Sequence, residues 1–310
     1  MKIVFMGSPE FSVPCLVKLA ESGHEVSAVF TQPDKPRGRR GNQLVPTAVK
    51  AKALEYGYPV YQPISLRKGE DAEKSVEILK SISPDLIAVT AYGQILPKEV
   101  LESAKYGCIN IHASLLPAYR GAAPINWCIL NGEKLTGVTS MQMSEGLDTG
   151  DMLIKRSTEI GENETYEELY ARLSEMGGEV LMETIEAIEN GTLVPEKQDD
   201  SLSCYSPMIT KNMSSLDFSL TAEKVHNTVR GVTGFTVLGG KRLKVFSSEI
   251  ISGDFSAMND GEIADPEIFA VKCGDGKAVK FNEVQLEGSK RMKTADFLRG
   301  KKLTKGEKLG

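Results

Sequence analysis

The chain has 310 residues, 41% hydrophobic and 25% charged, a balance typical of folded globular proteins and not of disordered ones. This length suits two domains better than a single hydrophobic core. No stretch reaches the roughly 20 apolar residues of a membrane span, and the first residues lack the apolar core of a signal peptide. The five cysteines are odd in number, widely spaced and without a CxxC pair, which disfavours a disulfide framework or a zinc site. These features predict a cytoplasmic protein without a bound metal.

The formal net charge of −5 is unevenly distributed along the chain. Residues 33–52 carry six basic side chains against one acidic one, and residues 289–310 carry eight against two. Residues 145–200, by contrast, carry sixteen acidic side chains against four basic ones. Two basic islands in an acidic chain favour a polyanionic partner, although solvated charged faces produce the same pattern.

The first two hundred residues alternate between strand and helix patterns. Helices are predicted from Phe11 to Gly23 and over residues 47–57, 98–104, 122–132 and 165–190. Short apolar runs predict strands at KIVFM, EVSAVFT, DLIAVT, GCINIHA, GVTSMQM and MLIKRSTEI. Strands separated by helices imply a mostly parallel sheet that is covered on both faces.

The pattern changes after about residue 200, where a polar stretch (DDSLSCYSPMITKN) has the composition of a linker. One helix (TAEKVHNTVRG) follows, and then closely spaced strands at FTVL, KRLKVFSSEII, GEIAD, IFAVKC and KAVKFNEVQLEG. This rhythm is typical of a small antiparallel barrel, compatible with an oligonucleotide-binding (OB) fold. The predicted fold class is therefore α/β: a Rossmann-like domain over residues 1–190, a linker over 191–206 and an OB-like domain over 207–310.

Open parallel sheets bind ligands at the carboxyl ends of their strands. The first strand is followed by GSPEFS, without the GxGxxG pattern of a dinucleotide site, and this disfavours a nicotinamide oxidoreductase. The strand GCINIHA offers more chemistry, because Asn110 and His112 are two residues apart and face the same way. An asparagine amide can stabilise a developing oxyanion, and an imidazole can carry a proton near neutral pH. A purely structural strand histidine is the alternative.

Two aspartates, Asp148 and Asp151, follow in the glycine-bounded stretch MSEGLDTGDM. A carboxylate there can orient an imidazole, but turn formation beside glycine also explains each aspartate, and spacing does not choose between them. The chain has no GxSxG motif, no Cys–His pattern and no metal-ligand cluster in its sequence. These residues favour acyl-type transfer without a covalent enzyme intermediate, with Asn110 steadying the oxyanion and His112 moving the proton.

The stretches NIHASLLPAYRGAAPINW and GVTSMQMSEGLDTGDML resemble the folate-dependent formyltransferases. That superfamily carries Asn-x-His, then Ser-Leu-Leu-Pro, then an Asp in a Leu-Asp-Thr-Gly loop. The resemblance implies that Asn110, His112 and Asp148 are catalytic, and that 10-formyltetrahydrofolate is the formyl donor, with no metal. It also implies a folate pocket formed in part by Ser114, Leu115, Leu116 and Pro117.

Three further stretches are similar to the methionyl-tRNA formyltransferase family: MKIVFMGSPEFSVPCL, FTQPDKPRGRRGNQLVPTAVKAKA and KRMKTADFLRGKKLTKGEKLG. This similarity implies formyl transfer to the α-amine of methionine on initiator Met-tRNA, for translation initiation. A monomer is expected on separate grounds, because the linker and the second domain have no surplus apolar helix face. The similarity also implies that a basic loop contacts the tRNA through Lys35, Arg37, Arg39 and Arg40. One departure is RGVTGFTVLGG, which has no proline where the family carries a proline-rich turn.

Two other functions remain compatible with the residues. A formyltransferase acting on an amino sugar or another small amine would use the same catalytic residues without RNA. An RNA-binding module whose α/β part is only a scaffold would bind RNA in a salt-sensitive way and turn over no folate.

Overall fold

The first part of the chain alternates strands and helices, as its apolar pattern predicts. A computed structural model describes residues 1–37 and 43–310. The strands are β1 (Lys2–Gly7), β2 (Glu25–Phe30), β3 (Lys35–Arg37), β4 (Gln43–Val45), β5 (Val60–Tyr61), β6 (Leu86–Thr90), β7 (Cys108–His112), β8 (Arg120–Gly121), β9 (Leu135–Gln142), β10 (Met152–Glu159) and β11 (Tyr205–Ser206). The helices are α1 (Val13–Glu21), α2 (Ala48–Glu55), α3 (Glu70–Ile82), α4 (Lys98–Leu101), α5 (Pro124–Leu130) and α6 (Tyr166–Glu189).

Seven of these strands form one sheet, in the order β10-β9-β7-β6-β1-β2-β5. The strands from β5 to β7 pair in parallel, and β9 pairs antiparallel to β7. Every residue of β6 is buried, which explains why its sequence is a continuous apolar run and not an alternating one. The predicted mostly parallel sheet is therefore confirmed, and the carboxyl ends of β1, β6 and β7 meet at one edge.

The turn between β1 and α1 is a tight structural junction. A Cβ atom at Gly7 would lie 2.8 Å from the Cβ of Ser12 and 3.0 Å from the carbonyl oxygen of Thr90. The Ser12 hydroxyl donates a hydrogen bond of 2.6 Å to that same carbonyl. The glycine of GSPEFS is thus required for the close approach of β1, the turn and the end of β6.

Helix α3 was not identified from the sequence. Its first turn carries three acidic residues, and the only large apolar side chain that it buries completely is Leu79. Acidic residues favour a helix N-terminus, where they offset the positive end of the helix dipole. The apolar stripe is too short to mark the helix by periodicity alone.

The second part of the chain contains a smaller antiparallel sheet, which confirms that part of the predicted fold class. Its strands are β12 (Gly234–Leu238), β13 (Lys241–Ile251), β14 (Ile263–Asp265), β15 (Ala270–Lys272), β16 (Ala278–Leu286) and β17 (Met292–Lys293). The order is β12-β13-β16-β15-β14, with β17 paired to β16. Helices α7 (Ala222–Val232) and α8 (Thr294–Gly300) accompany this sheet, and α8 was not predicted. Phe297 of α8 packs 5.9 Å from the ring of Phe269 in the core.

The turn that lacks proline is very short. Helix α7 ends at Val232, the next residue Thr233 reverses the chain with a φ of +56°, and β12 begins at Gly234. The backbone N–H of Thr233 still donates to the carbonyl of Val229. One residue in the left-handed region therefore makes this connection without a proline.

The described residues group into two compact units that are not continuous in sequence. The first comprises Met1–Gly121, Gly137–Thr158 and Tyr170–Tyr205, and the second comprises Ala122–Thr136, Glu159–Leu169 and Ser206–Gly310. Within the second unit, α5 is tied to α7, because Asn126 Nδ2 donates to the carbonyl of Gly231 at 2.7 Å. The predicted boundaries at residues 190 and 207 stay a prediction about which parts fold independently.

No helix within residues 1–37 and 43–310 combines the length and the apolar character needed to cross a membrane.

Candidate active site

Strand β7 carries the two polar side chains that the sequence singled out. Asn110 is paired with Val89 of β6 and Met141 of β9, and His112 is paired with Thr139. Both residues therefore lie on one face of a central strand, towards its carboxyl end. Among the described residues, the side-chain amide of Asn110 has no hydrogen-bond partner, so its donors are available to a ligand.

The imidazole of His112 has one committed nitrogen and one available nitrogen. Its Nε2 lies 2.9 Å from the carbonyl oxygen of Tyr119, and because a carbonyl only accepts, Nε2 carries the proton. Its Nδ1 lies 3.8 Å from Oδ2 of Asp148. The side chains of His112 and Asp148 are only 7% and 13% exposed, which limits the screening of this pair by water.

The carboxylate of Asp148 is itself held by the backbone. The N–H of Gly121 donates to its Oδ2 at 2.8 Å, and the residue has a φ of +52°. Spacing alone did not distinguish Asp148 from Asp151, whereas the structure brings Asp148 to the histidine. Asp151 lies beside the sheet, where its carbonyl accepts from the N–H of Gln142.

Gly150 allows the Asp148 loop to pass close to the sheet. A Cβ atom at Gly150 would lie 1.6 Å from the carbonyl oxygen of Gln142, which is far inside van der Waals contact. The glycine of the Leu-Asp-Thr-Gly stretch is therefore a steric requirement, and any side chain there would displace the loop that carries Asp148.

The Ser-Leu-Leu-Pro segment forms a turn held largely by its own polar groups. The Ser114 hydroxyl donates to the carbonyl of Ala118 at 2.6 Å, and the N–H of Leu116 donates to Thr139 at 3.1 Å. Ser114 and Leu116 are each only 1% exposed. Leu115 and Pro117 are partly exposed, and they are the members of the segment that a ligand can reach.

The basic loop lies only partly within the described residues. Lys35 is exposed on β3, and the backbone of Arg37 pairs with Gln43 of β4. Arg39 and Arg40 lie outside the described residues.

A network anchors the base of this loop. Lys50 Nζ contacts Asp34 Oδ2 and Gln62 Oε1 at 2.7 Å each, and Gln62 Nε2 contacts Asp34 Oδ1 at 2.7 Å. These bonds hold the pKa of the Asp34 carboxyl below its usual value. Lys50, counted in the basic island, is therefore paired with an acid rather than available to an anion.

Sequence reasoning missed three groups that hold the site together: the carbonyl of Tyr119, the N–H of Gly121 and the side chain of Gln198. The first two are backbone groups, whose positions follow from the fold and not from residue type. Gln198 lies in the predicted linker over residues 191–206, and no motif marks it.

Neither a metal site nor a reactive thiol next to Asn110 is evident in the described residues. No group of three or more His, Cys, Asp or Glu side chains is arranged there to hold a metal ion. Cys108, two residues before Asn110, is fully buried, and burial raises the pKa of its thiol to about 12. The polar side chains that the described residues gather at this strand end are an amide, an imidazole and a carboxylate.

Comparison with known proteins identifies the family. Residues 1–185 match the formyl transferase family model, and residues 208–302 match the model of the formyl transferase C-terminal domain. Methionyl-tRNA formyltransferase of Citrifermentans bemidjiense is 51% identical over 100% of this chain and 96% of its own length. The same enzyme of Geobacter sulfurreducens is 49% identical over 100% of this chain and 97% of its own length.

A solved structure shares the fold at low sequence identity. The sugar 3N-formyl transferase WlaRD, determined with dTDP and 5-N-formyl-THF, aligns with a TM-score of 0.70 at 21% identity, over 94% of this chain and 99% of that one. The fold and the two matching family models define the class of protein: the chain belongs to the formyl transferase family. Its full-length relatives place it among the methionyl-tRNA formyltransferases.

Proposed function

We propose that this chain transfers the formyl group of 10-formyltetrahydrofolate to the α-amine of methionine on initiator Met-tRNA, giving N-formylmethionyl-tRNA. The observation that carries the proposal is the approach of Asp148 Oδ2 to 3.8 Å from His112 Nδ1, on the strand face that also presents Asn110. The full-length relatives at 51% and 49% identity favour tRNA as the acceptor over an amino sugar.

His112 takes up the proton that the acceptor amine loses. An α-amino group has a pKa of about 8, so much of it is protonated at neutral pH and must be deprotonated before it attacks. Because Nε2 of His112 donates to the Tyr119 carbonyl, the proton is received at Nδ1. Asp148 faces that nitrogen and stabilises the imidazolium, directly or through one water across the 3.8 Å gap. General base catalysis of this kind contributes about 10²–10⁴-fold in rate.

Asn110 stabilises the negative charge that develops on the formyl oxygen. Its amide has no other partner in the described part of the chain, so donating to an oxyanion breaks no existing bond. The backbone of a central strand holds it in place before the reaction begins. One such preorganised donor is worth about 10²–10³ in kcat.

The residues beside Asn110 fit a folate. When bound, the folate supplies an electrophilic formyl group on an arylamine nitrogen. The loop after β6 lies next to β7, and the backbone N–H groups of Gly93 and Ile95 have no partner in the described residues, so they can bind the polar edge of a pterin ring. The Ile95 side chain is 61% exposed and offers an apolar face. Leu115 and Pro117 contribute a second apolar wall, while Ser114 and Leu116 hold the turn that presents them.

The basic islands are proposed to bind the tRNA. Lys35, Arg37, Arg39 and Arg40 belong to the first island, and arginine can pair with phosphates or stack on unstacked bases. Residues 290–308 supply the second island, beside an antiparallel sheet of the kind that holds nucleic acid in OB folds. We infer a cytoplasmic enzyme that acts as a monomer on tRNA and folate, away from membranes.

An acceptor screen tests this function. Labelled formyl from 10-formyltetrahydrofolate is followed into Met-tRNA, glycinamide ribonucleotide, an amino sugar nucleotide and water, with wild type and Asn110→Ala. We expect transfer to Met-tRNA alone, reduced about 10²–10³-fold in kcat by the substitution. Transfer to a small amine would show that the acceptor is that amine and not Met-tRNA. RNA binding without formyl transfer would show that the protein is an RNA-binding module and not an enzyme.

A further inference from the structure

The segment after β10 and α6 returns to the site and contacts the Asp148 loop. Gln198 Nε2 donates to the carbonyl oxygens of Asp148 at 2.8 Å and Gly150 at 2.7 Å. One side-chain amide thus uses both of its N–H groups on the two carbonyls that flank Thr149. These two bonds hold the loop at Asp148, whose φ of +52° is a conformation that a non-glycine residue rarely adopts without support.

We infer that Gln198 is a positioning residue for formyl transfer, which holds the loop so that the Asp148 carboxylate stays beside Nδ1 of His112. This inference rests on the proposed function. Gln198 itself does not touch the reacting atoms; it acts through the backbone of Asp148.

The orientation of the Gln198 amide is fixed by a second contact. Its Oε1 accepts from Arg120 Nε at 2.9 Å, and the Arg120 guanidinium also donates to Asp200 Oδ1 at 2.8 Å. A guanidinium only donates, so Oε1 must face Arg120 and the NH₂ group must face the two carbonyls. Glutamate at position 198 would keep the acceptor for Arg120 but would set a carboxylate against both carbonyl oxygens.

Arg120 also connects this contact to the histidine. It lies between Tyr119, whose carbonyl accepts from His112 Nε2, and Gly121, whose N–H donates to Asp148 Oδ2. The short strip 119–121 therefore holds both members of the pair, and Gln198 bonds to that strip and to the Asp148 loop. Loss of Gln198 frees the loop from one side and leaves the Gly121 contact to hold the carboxylate alone, so that contact should open more often.

A displacement of this kind acts on the rate rather than on substrate binding. Misplacing a reacting group by about 1 Å costs up to about 10²-fold in rate. For Gln198→Leu we expect kcat to fall about 10–100-fold, with the KM values for Met-tRNA and 10-formyltetrahydrofolate within about twofold of wild type. Gln198→Glu should show a loss of similar size, because the carboxylate also lacks the two donors.

The control is Gln285, a glutamine of the second unit with the same type of bond. Its Nε2 donates to the carbonyl of Ser289 at 3.0 Å on the antiparallel sheet of the second unit. Gln285→Leu and Gln285→Glu remove the same donor at a surface position. We expect their kcat to stay within about twofold of wild type.

Amide hydrogen exchange at Gly121 gives a readout that is independent of turnover. The Gly121 N–H is bonded to Asp148 Oδ2, so release of the loop should speed its exchange at least about tenfold in both Gln198 variants and leave it unchanged in the Gln285 variants. Melting temperatures of all four variants report whether each one folds.

The proposed function and the positioning role of Gln198 can each be wrong without the other. If wild type transfers no formyl group to Met-tRNA, the proposed function is wrong. If wild type is active and the folded Gln198 variants keep wild-type kcat and Gly121 exchange, the positioning role is wrong. A loss confined to KM, or one matched by the Gln285 variants, would also overturn it.

Discussion

For His112, a backbone group decides which ring nitrogen carries the proton. With Nε2 bonded to the Tyr119 carbonyl, only Nδ1 can exchange a proton with a ligand, and Nδ1 faces Asp148. The tautomer is therefore set by a main-chain oxygen that no residue pattern reveals. In the proposed reaction this arrangement keeps the unprotonated nitrogen on the side of the carboxylate that stabilises its protonated form.

The substitution Asp148→Asn removes the negative charge of this side chain but keeps an oxygen that can hold the loop. The asparagine oxygen can still accept from the N–H of Gly121, so the loop is expected to keep its geometry. Without the negative charge the imidazolium loses its stabilising partner, and kcat for formyl transfer should fall by about 10²–10⁴-fold. Steady-state kinetics with Met-tRNA measures this, and tRNA affinity should be unchanged. A variant with wild-type kcat would remove Asp148 from the mechanism.

Thiol reactivity should separate Cys204 from the other four cysteines. Burial raises the pKa of Cys15, Cys108 and Cys273 to about 12, and that of Cys128 to about 11, whereas Cys204 is exposed. Thiolates are the reactive form, so one thiol should react quickly at pH 8 and four only after unfolding. A colorimetric thiol titration of wild type and Cys204→Ser measures this, and a second fast thiol would contradict it.

At the scale of elements, strong local patterns were readable from the sequence and long-range contacts were not. The apolar runs of β1, β6 and β7 and the helices α1 and α6 follow from period and burial. Helix α3 was missed because its apolar stripe is short, and α8 because no cap or periodic stripe marks it. The sequence predicts that Asn110 and His112 lie together because a strand places alternate residues on one face, and β7 does so. The contacts of Gln198 join residues about 50 positions apart, and only the fold brings them together.

Helix α7 carries a buried histidine that should make stability depend on pH. His226 is 3% exposed; its Nε2 donates to the Glu162 carbonyl at 3.0 Å and its Nδ1 accepts from the Ser248 hydroxyl at 2.9 Å. Burial lowers the pKa of this imidazole, and Arg230 nearby acts in the same direction against the opposing effects of Glu162 and Glu223. The folded state therefore binds a proton less readily than the unfolded state does.

The sign of the effect follows from this difference. Stability that is present above the unfolded histidine pKa of about 6.5 is lost as pH falls below it, at up to about 1.4 kcal/mol per pH unit. Urea unfolding between pH 7.5 and 5.5 measures the slope, and His226→Gln should lack this contribution while being less stable at pH 7.5. Equal slopes in the two proteins would show that His226 is not responsible.

For the whole molecule, the two basic islands can attract a polyanion only through basic side chains that are not already paired with an acidic one. In the first island Lys50 is paired with Asp34, and in the second Arg291 is paired with Glu283 at 2.6 Å. Lys302 and Lys305, by contrast, are exposed and make no ion pair within the described residues. An acidic chain can therefore bind a polyanion through a few uncompensated lysines while its net charge stays negative.

This distinction predicts how tRNA binding depends on salt. Each neutralised phosphate adds about 0.7–0.9 to the slope of log K against log salt, so Lys302→Gln combined with Lys305→Gln should lower the slope by about 1.4–1.8 and weaken binding at low salt. Lys280→Gln is the matched control. Because Lys280 is already paired with Glu249 at 2.6 Å, this substitution should leave the slope unchanged.

Fluorescence anisotropy with labelled Met-tRNA from 50 to about 300 mM salt covers the range in which counterion release dominates. An unchanged slope in the double variant, with kcat intact, would place the phosphate contacts elsewhere, whereas a drop matched by Lys280→Gln would indicate a general charge effect.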